Sequence, residues 1–283
     1  MQTELSSKQI SKLKKLSPYY KNKTVVVTGA TSGIGRSTAL MLSRIGAHVV
    51  IMARTSRDLE NTLEKMEGLR ENQNQKFKAY QVDLRDSKSV QSTSLSLLGE
   101  NKVDILVNNA GVYYTNYFDQ QTPEQIESMV LTNIMAPLQL SRAFIPHFEK
   151  NGFGQVVNVS SLAAKLNFTG YGVYGGTKAG LSHSSKGLNF EYSPKNIHFS
   201  DFFAPDSLTR GYEEELKSMP IETKKINGTV KPMSSDDVAL SLLDGVSKKR
   251  LEIVPGFKSK SISFLAKHLP PSWIQGILRV LSK

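Results

Sequence analysis

The sequence predicts a single doubly wound parallel α/β sheet with helices on both faces, flanked by a basic N-terminal leader and C-terminal amphipathic helices. Three observations predict it. Short apolar runs alternate with helix-spaced stretches from about residue 24 onward. The runs are apolar throughout rather than at every second position, as strands covered on both faces must be. The first of them passes through a cluster of glycines directly into a helix.

In chain order, TVVVTG (24–29) is a β-branched run ending in glycine, a strand, and IGRSTALMLSRIG has helical spacing and a glycine stop. HVVIMAR (48–54) is the second strand, followed by a polar helix through about Arg70. FKAYQVDL (77–84), VDILVNNAG (103–111) and GQVVNVSS (154–161) are further buried strands, with a helix over roughly 122–150 between the last two. KAGLSHSSKGLNFEYS continues a helix to about Ser193, and NIHFSDFFAP is the next strand. No internal repeat and no linker interrupts the series. The expected division is a leader over 1–23, one sheet domain over 24–257 and a C-terminal segment over 258–283.

Composition narrows the chemistry. The 283 residues include no cysteine, which excludes disulfides, thiolate nucleophiles and cysteine-based metal sites. Five histidines, His48, His147, His183, His198 and His268, show no metal-ligand spacing, so no metal is expected. The net charge of +11 lies at the ends: 1–23 carries +5 and 248–283 carries +7, leaving the middle at −1. A neutral middle offers no basic groove for nucleic acid. Basic ends beside apolar residues suit either solubilising termini or an anionic membrane surface. MQTELSSKQISKLKKLSPYY lacks the apolar core of a secretory signal, and no run approaches the ~20 apolar residues of a spanning helix. The expectation is a cytoplasmic protein, not secreted, with membrane contact at most peripheral.

The first turn, TGATSGIG (28–35), carries the first chemical signal. Gly29 suits a tight turn, Gly33 a close backbone approach to a ligand, and Gly35 close packing of helix on strand. The helix that follows offers open N–H groups and a positive dipole end to a pyrophosphate. Thr31, Ser32 and Ile34, within the same turn, count among the dinucleotide contacts. At the end of the second strand an acid would bind a ribose 2′-hydroxyl, but this sequence places Arg54 there, with Arg57 nearby. A guanidinium suits the 2′-phosphate of NADPH, so NADP(H) is the expected cofactor. Arg36 is a second candidate for that phosphate, the alternative being an exposed helix residue.

TGATSGIG, Asp83 in VDL, NNAG at 108–111, Asn133 in LTNIMAP, VSS at 159–161 and YGGTK at 174–178 occur in that order. Together they resemble the short-chain dehydrogenase/reductase family over nearly all of 24–210. The resemblance implies a Rossmann-type sheet and a catalytic set of Asn133, Ser161, Tyr174 and Lys178. The residue chemistry agrees with this. Tyr174 and Lys178, four apart on a helix, share one face, and an ammonium beside a phenol favours the phenolate and lowers its pKa. Ser161, at the end of a neighbouring strand, can hydrogen-bond a substrate oxygen. Asn133 would hold a water linking Lys178 to solvent, and Lys178 and Tyr174 would also meet the cofactor's nicotinamide ribose. Asp83, with Leu84, would meet the adenine, and Asn109, Ala110 and Gly111 would line the cofactor cleft through their backbone. Asn158 would brace the sheet. Pro205 and Thr209 match the family segment that contacts the nicotinamide amide, with Asp206 where the family commonly has glycine.

Two tyrosines compete in TGYGVYGGTKAG. Four residues beyond Tyr171 lies Gly175, whereas Tyr174 reaches Lys178. Tyr174 is therefore the proton donor, and Tyr171 is either a wall of the substrate pocket or plain packing. The departure at Asp206, the stretch MPIETKKINGTVKPMSSDDVA and IVPGF before the C-terminal helices resemble the 3-ketodihydrosphingosine reductase subgroup, although Arg210 stands where that subgroup has proline. The implied activity is NADPH-dependent reduction of an apolar, lipid-like ketone, with 3-ketosphinganine first and steroid or 3-ketoacyl ketones next. The alternative of another class is a non-catalytic NADPH-sensing scaffold. Residues 206–232, charged and punctuated by Pro and Gly, are the expected irregular substrate lid. A homodimer or homotetramer built on the helices around 122–150 and 174–193 is also implied.

At the C-terminus, Ile262, Phe264, Leu265, Leu269, Trp273, Ile274, Ile277, Leu278 and Leu281 recur at helical spacing, and Pro270-Pro271 splits them into two short helices. Lys260, Lys267, Arg279 and Lys283 border the stripe. The arrangement suits an interfacial helix on a membrane. Packing on its own domain, covering the cleft and a dimer contact are the alternatives.

Overall fold

The structure, a computed structural model, describes residues 5–227 and 231–282. Residues 1–4 of the leader, 228–230 of the expected lid, Lys283 and the side chains of Arg210 and Pro271 lie outside the described residues.

The strands are β1 (Thr24–Thr28), β2 (His48–Ala53), β3 (Phe77–Gln81), β4 (Ile105–Asn108), β5 (Gly154–Ser161) and β6 (Ile197–Ala204), then the short β7 (Ser207–Leu208), β8 (Met233–Ser234) and β9 (Glu252–Ile253). Among the described residues, seven of them form one parallel sheet in the order β3-β2-β1-β4-β5-β6-β9, and β7 pairs with β8 apart from it. Val26 lies between Val50 of β2 and Leu106 of β4. Because side chains alternate along a strand, Val25 and Val27 enter one core cluster and Val26 enters the other. Both faces are therefore covered, and the strands read as continuous apolar runs for that reason.

One face carries α3 (Gly33–Ser43), α4 (Ser56–Glu67) and α11 (Ser235–Ser247). The other carries α5 (Ser87–Glu100), α7 (Ala136–Asn151) and α8 (Gly172–Tyr192). Helix α5 has no counterpart in the sequence reading. Its SKSVQSTSLSLLGE is rich in serine, and only Val90, Ser94 and Leu97 are buried, so its apolar face is too thin to register. It is the crossover that returns the chain from β3 at the edge of the sheet to β4, which pairs parallel with β1. The helix expected over roughly 122–150 is built as α6 (Pro123–Val130), a π-helical turn (Leu131–Met135) and α7.

The basic leader is packed rather than free. Leu13 of α1 (Ser7–Lys14), Tyr20 of α2 (Ser17–Tyr20) and Leu16 between the two helices join the first core cluster, and the Tyr20 hydroxyl donates to the Leu243 carbonyl at 2.8 Å. The expectation of an irregular lid does not hold: α9 (Arg210–Ser218) and α10 (Ile221–Asn227) occupy it. Thr209 caps α9, its hydroxyl accepting from the Tyr212 N–H at 3.1 Å, and that cap turns a charged run into a helix. Past β9, α12 (Phe257–His268) and α13 (Pro271–Leu281) divide at the two prolines.

Candidate active site

β5 and α8 place Ser161, Tyr174 and Lys178 at the C-terminal end of the sheet, where open parallel sheets bind ligands. The strand ends at Ser161, which turns into a single 3₁₀ turn (Leu162–Ala164), its hydroxyl accepting from the Ala163 N–H at 3.1 Å. Helix α8 begins after Tyr171 and packs so closely on that turn that a Cβ at Gly175 would lie 2.8 Å from the Ala163 carbonyl oxygen. This approach brings Tyr174 to Ser161, whose hydrogen bond favours the phenolate.

Lys178 is buried on the same face. Its Nζ lies 6.0 Å from the centre of the Tyr174 ring and donates to the Val159 carbonyl at 2.8 Å. Burial lowers its pKa to about 8. The ammonium does not lower the Tyr174 pKa in this arrangement. Burial first, then the charge of Glu215, push the phenol well above its ordinary value. Desolvation outweighs the expected attraction because Lys178 is turned to Val159.

Asn133 lies in the π turn, a distortion that often marks functional positions. Fully buried, it accepts from the Val112 N–H at 2.9 Å and donates to the Val112 carbonyl at 2.7 Å and to the Thr177 hydroxyl at 3.2 Å. It thus ties the chain after β4 to α8. Gly111 leaves room for this convergence: a Cβ there would sit 3.2 Å from Lys178 Nζ and 3.3 Å from Asn133 Oδ1. Asn158 braces the sheet, accepting from Asn108 at 2.8 Å and donating to Ser185 at 2.7 Å.

The nucleotide side is made of backbone. Gly29 and Gly33 adopt φ of 63° and 51°, which only glycine takes without strain. A Cβ at Gly35 would lie 2.3 Å from Asn109 Nδ2 and 2.4 Å from the Gly29 oxygen. Asn109 contributes its side chain as well as its backbone: Nδ2 donates to the Thr28 carbonyl at 2.9 Å, while the Asn109 and Ala110 N–H groups reach the Thr28 hydroxyl. Thr31 flanks the turn half-buried and Ile34 packs on the core. Ser32 precedes α3 without capping it through its side chain, so the first-turn N–H groups stay open. Arg36 is half-buried rather than exposed, and its Nε is buried without a partner among the described residues. A cradle of open N–H groups with an orphaned guanidinium nitrogen fits a pyrophosphate.

Arg54 and Arg57 are exposed beside this cradle, at the end of β2 and the start of α4. Asp83 is held by Arg85, which donates to it at 2.6 Å and keeps its carboxyl below the usual range. Arg85 escaped the sequence reading. Leu84 packs partly buried on the second core cluster. Pro205 and Thr209 stand at the root of the lid, and a Cβ at Gly33 would meet the Thr209 methyl at 2.9 Å.

The opposite side of the cleft is made of side chains. The Tyr174 ring stands edge-on to Tyr113 at 5.8 Å and to Tyr171 at 5.9 Å, with Phe168 at 5.8 Å from Tyr171. Tyr171 is buried with Ala163 and Met219, and its hydroxyl donates to the Glu215 carboxylate of α9. Burial, then the Asp206 charge, raises the Glu215 pKa to about 7. Burial raises Asp206 as well. Sequence reasoning missed Tyr113 and Glu215. Tyr113 stands two residues past the NNAG motif, a readable signal, whereas Glu215 lies in GYEEE, which reads as a solvated charge run.

Set against known proteins, residues 23–218 match the short chain dehydrogenase family. A 3-dehydrosphinganine reductase of Danio rerio is 31% identical over 219 residues, which cover 76% of this chain and 65% of that protein, so the chain spans slightly less than two thirds of this relative. A 3-ketodihydrosphingosine reductase of Bos taurus is 28% identical over 262 residues, 91% of this chain and 79% of that one. A solved short-chain dehydrogenase from Sphingobium yanoikuyae, in complex with NADPH, superposes with a TM-score of 0.76 at 27% identity, covering 91% of this chain and 95% of that one.

Proposed function

This chain belongs to the short chain dehydrogenase family, and on that premise we propose that it is an NADPH-dependent carbonyl reductase of a lipid-like ketone, with 3-ketodihydrosphingosine the foremost candidate. The observation that carries the reading is the meeting of Ser161, Tyr174 and Lys178 beside a glycine-built nucleotide cradle. The relatives named for sphinganine-type ketones support the substrate, and the NADPH bound by the Sphingobium protein supports the cofactor.

Gly29, Gly33, Gly35 and the open N–H groups of α3 would hold the pyrophosphate, Arg54 and Arg57 the 2′-phosphate, Asp83 the adenine side, and Lys178 with Thr209 the nicotinamide end. Bound there, NADPH supplies the hydride to the ketone carbon. Ser161 hydrogen-bonds the carbonyl oxygen and holds it against Tyr174. Tyr174 donates its proton to that oxygen as the alcohol forms. A phenol held neutral by burial carries this proton at working pH, and the Ser161 hydrogen bond favours the phenolate left behind. Asn133 keeps Lys178 and the chain after β4 in register and would anchor the water through which the proton returns.

Tyr174→Phe removes the proton and keeps the ring. It should lower NADPH oxidation with long-chain ketones by at least ~10³-fold while NADPH still binds by fluorescence titration. Wild-type turnover in that variant ends the proposal.

No described helix is long and apolar enough to cross a membrane. A peripheral contact with an anionic bilayer is the reading the C-terminal helices favour. Trp273, Ile277, Val280 and Leu281 form one exposed apolar stripe of α13, with Arg279 on the same helix and Lys258, Lys260 and Lys267 on the preceding α12. Helix α13 also touches α10 of the lid. Replacing Trp273 and Ile277 by serine should abolish co-sedimentation with phosphatidylserine vesicles, and undiminished binding excludes the stripe. Exposed Phe190 on α8 and Met135 on the π turn are apolar positions that a homodimer or homotetramer would cover, and light scattering decides the assembly.

A further inference from the structure

Building on the ketone-reductase reading, we propose that Glu215 and Asp206 select substrates bearing a cationic amine next to the carbonyl, binding the ammonium in the tyrosine box beside Tyr174. The two carboxylates come from the lid and its root, yet both face inward. Glu215 accepts the Tyr171 hydroxyl, and Tyr171 in turn contacts the Tyr174 ring. Asp206 is half-buried, and among the described residues its carboxylate takes part in no hydrogen bond or ion pair. The charges of both acids reach Tyr174 and Tyr171.

Such a pair is incomplete by itself. Two carboxylates sharing a partly dry site repel each other, and no described cation answers them. Lys178 is spent on the Val159 carbonyl, and Lys217 of α9 donates to Glu214. The faces of Tyr113, Tyr171 and Tyr174 complete an environment in which an ammonium is attracted by rings and carboxylates together.

The geometry also fixes where that ammonium belongs. Ser161 and Tyr174 fix the carbonyl oxygen, so the atoms flanking the ketone carbon lie beside Tyr174, where the two acids act. An amine on the adjacent carbon would complete the pair. A ketone lacking it would leave both carboxylates buried without a counter-charge, which is the means of rejection.

The test compares an eight-carbon 2-amino-3-ketone with its des-amino twin, following NADPH oxidation at a pH near 8. Wild type should prefer the amino ketone. Glu215→Gln, which retains an acceptor for Tyr171, should reduce the kcat/KM ratio between the two ketones by roughly 30-fold, mainly through the KM of the amino ketone. Asp206→Asn should reduce it further. An unchanged ratio, or no preference in wild type, overturns the proposal while the reductase reading stands. Failure to reduce either ketone counts against the reductase reading instead. The amine site is then decided by calorimetry with the matching amino diol on NADP⁺-loaded protein: binding at least tenfold weaker in Glu215→Gln supports it, and equal binding overturns it.

Discussion

The two sides of the cleft are assembled by different means. On the nucleotide side, Gly29, Gly33 and Gly35 bring main chain against main chain, with Asn109 and Thr28 tying the turn to β4. On the lid side, Tyr113, Tyr171 and Glu215 come from separate segments and meet through side chains around Tyr174. The first arrangement tolerates no added atom but has no titrating group at its centre. The second tolerates isosteric change but answers to pH, because its contacts are phenols and carboxylates. Sterics govern one side and electrostatics the other, and each can be broken separately.

The largest effect should come from Gly35→Ala. Its Cβ would lie 2.3 Å from Asn109 Nδ2 and 2.4 Å from a backbone oxygen, and that oxygen cannot swing away. We expect NADPH affinity to fall about 100-fold or more, with a stability loss of about 1–3 kcal/mol from overpacking. Fluorescence titration and urea unfolding measure the two. Retained affinity would show that the cradle is softer than the comparison holds.

On the lid side the expected effect is a pH dependence of stability with a definite sign. Glu215 titrates near 7 in the fold against 4.5 ordinarily, so its contribution is fully present below about 4.5 and is lost as pH rises through 7. Lys178 does the reverse. Its pKa is about 8 rather than 10.5, so the cost of burying its charge applies below 8 and disappears as pH rises to 10.5. Each shift corresponds to about 3 kcal/mol at ~1.4 kcal/mol per pH unit. Urea midpoints across pH should therefore fall between 4.5 and 7 and recover between 8 and 10.5. Glu215→Gln should reduce the first limb, which Asp201, raised by burial to about 6, also shapes, and Lys178→Met should flatten the second. A Glu215→Gln profile parallel to wild type would remove the electrostatic half of the contrast.

A smaller effect returns to the nucleotide side, at its one electrostatic margin. Arg54→Asp places an acid where the 2′-phosphate is expected, and the ratio of NADPH to NADH efficiency should fall by about 10–100-fold. An unchanged ratio assigns the phosphate to Arg57 or to the orphaned Arg36.

The same contrast explains what could be read from the sequence. Backbone-built features left signatures in residue type: glycines of positive φ in TGATSGIG, and apolar runs for strands buried on both faces. Tyr174 and Lys178 were legible because both lie on one helix. Glu215 was not, since nothing in GYEEE marks the carboxylate that turns inward to Tyr171. Helix α5 hid behind its serines, and the lid looked irregular because its order depends on one threonine cap and on packing against Tyr113 and Tyr171. The Tyr174 pKa went astray for a related reason. Spacing places Lys178 on the correct face, but only the fold shows its ammonium turned to Val159.

The smallest effect probes whether the rigid side depends on support from outside it. Tyr20 is fully buried, and its hydroxyl donates to the Leu243 carbonyl of α11, the helix that packs on α3 behind the cradle. Tyr20→Phe keeps the ring and leaves the Leu243 carbonyl without this donor, a loss of about 1 kcal/mol. In a chain of this size the melting temperature should drop by about 2–4 °C. NADPH affinity should not move, because the glycine turn is fixed by its own contacts to β4 rather than by the leader. If affinity falls together with stability, the cradle is held through α3, α11 and the leader as one body, and its rigidity belongs to the whole face of the sheet rather than to three glycines.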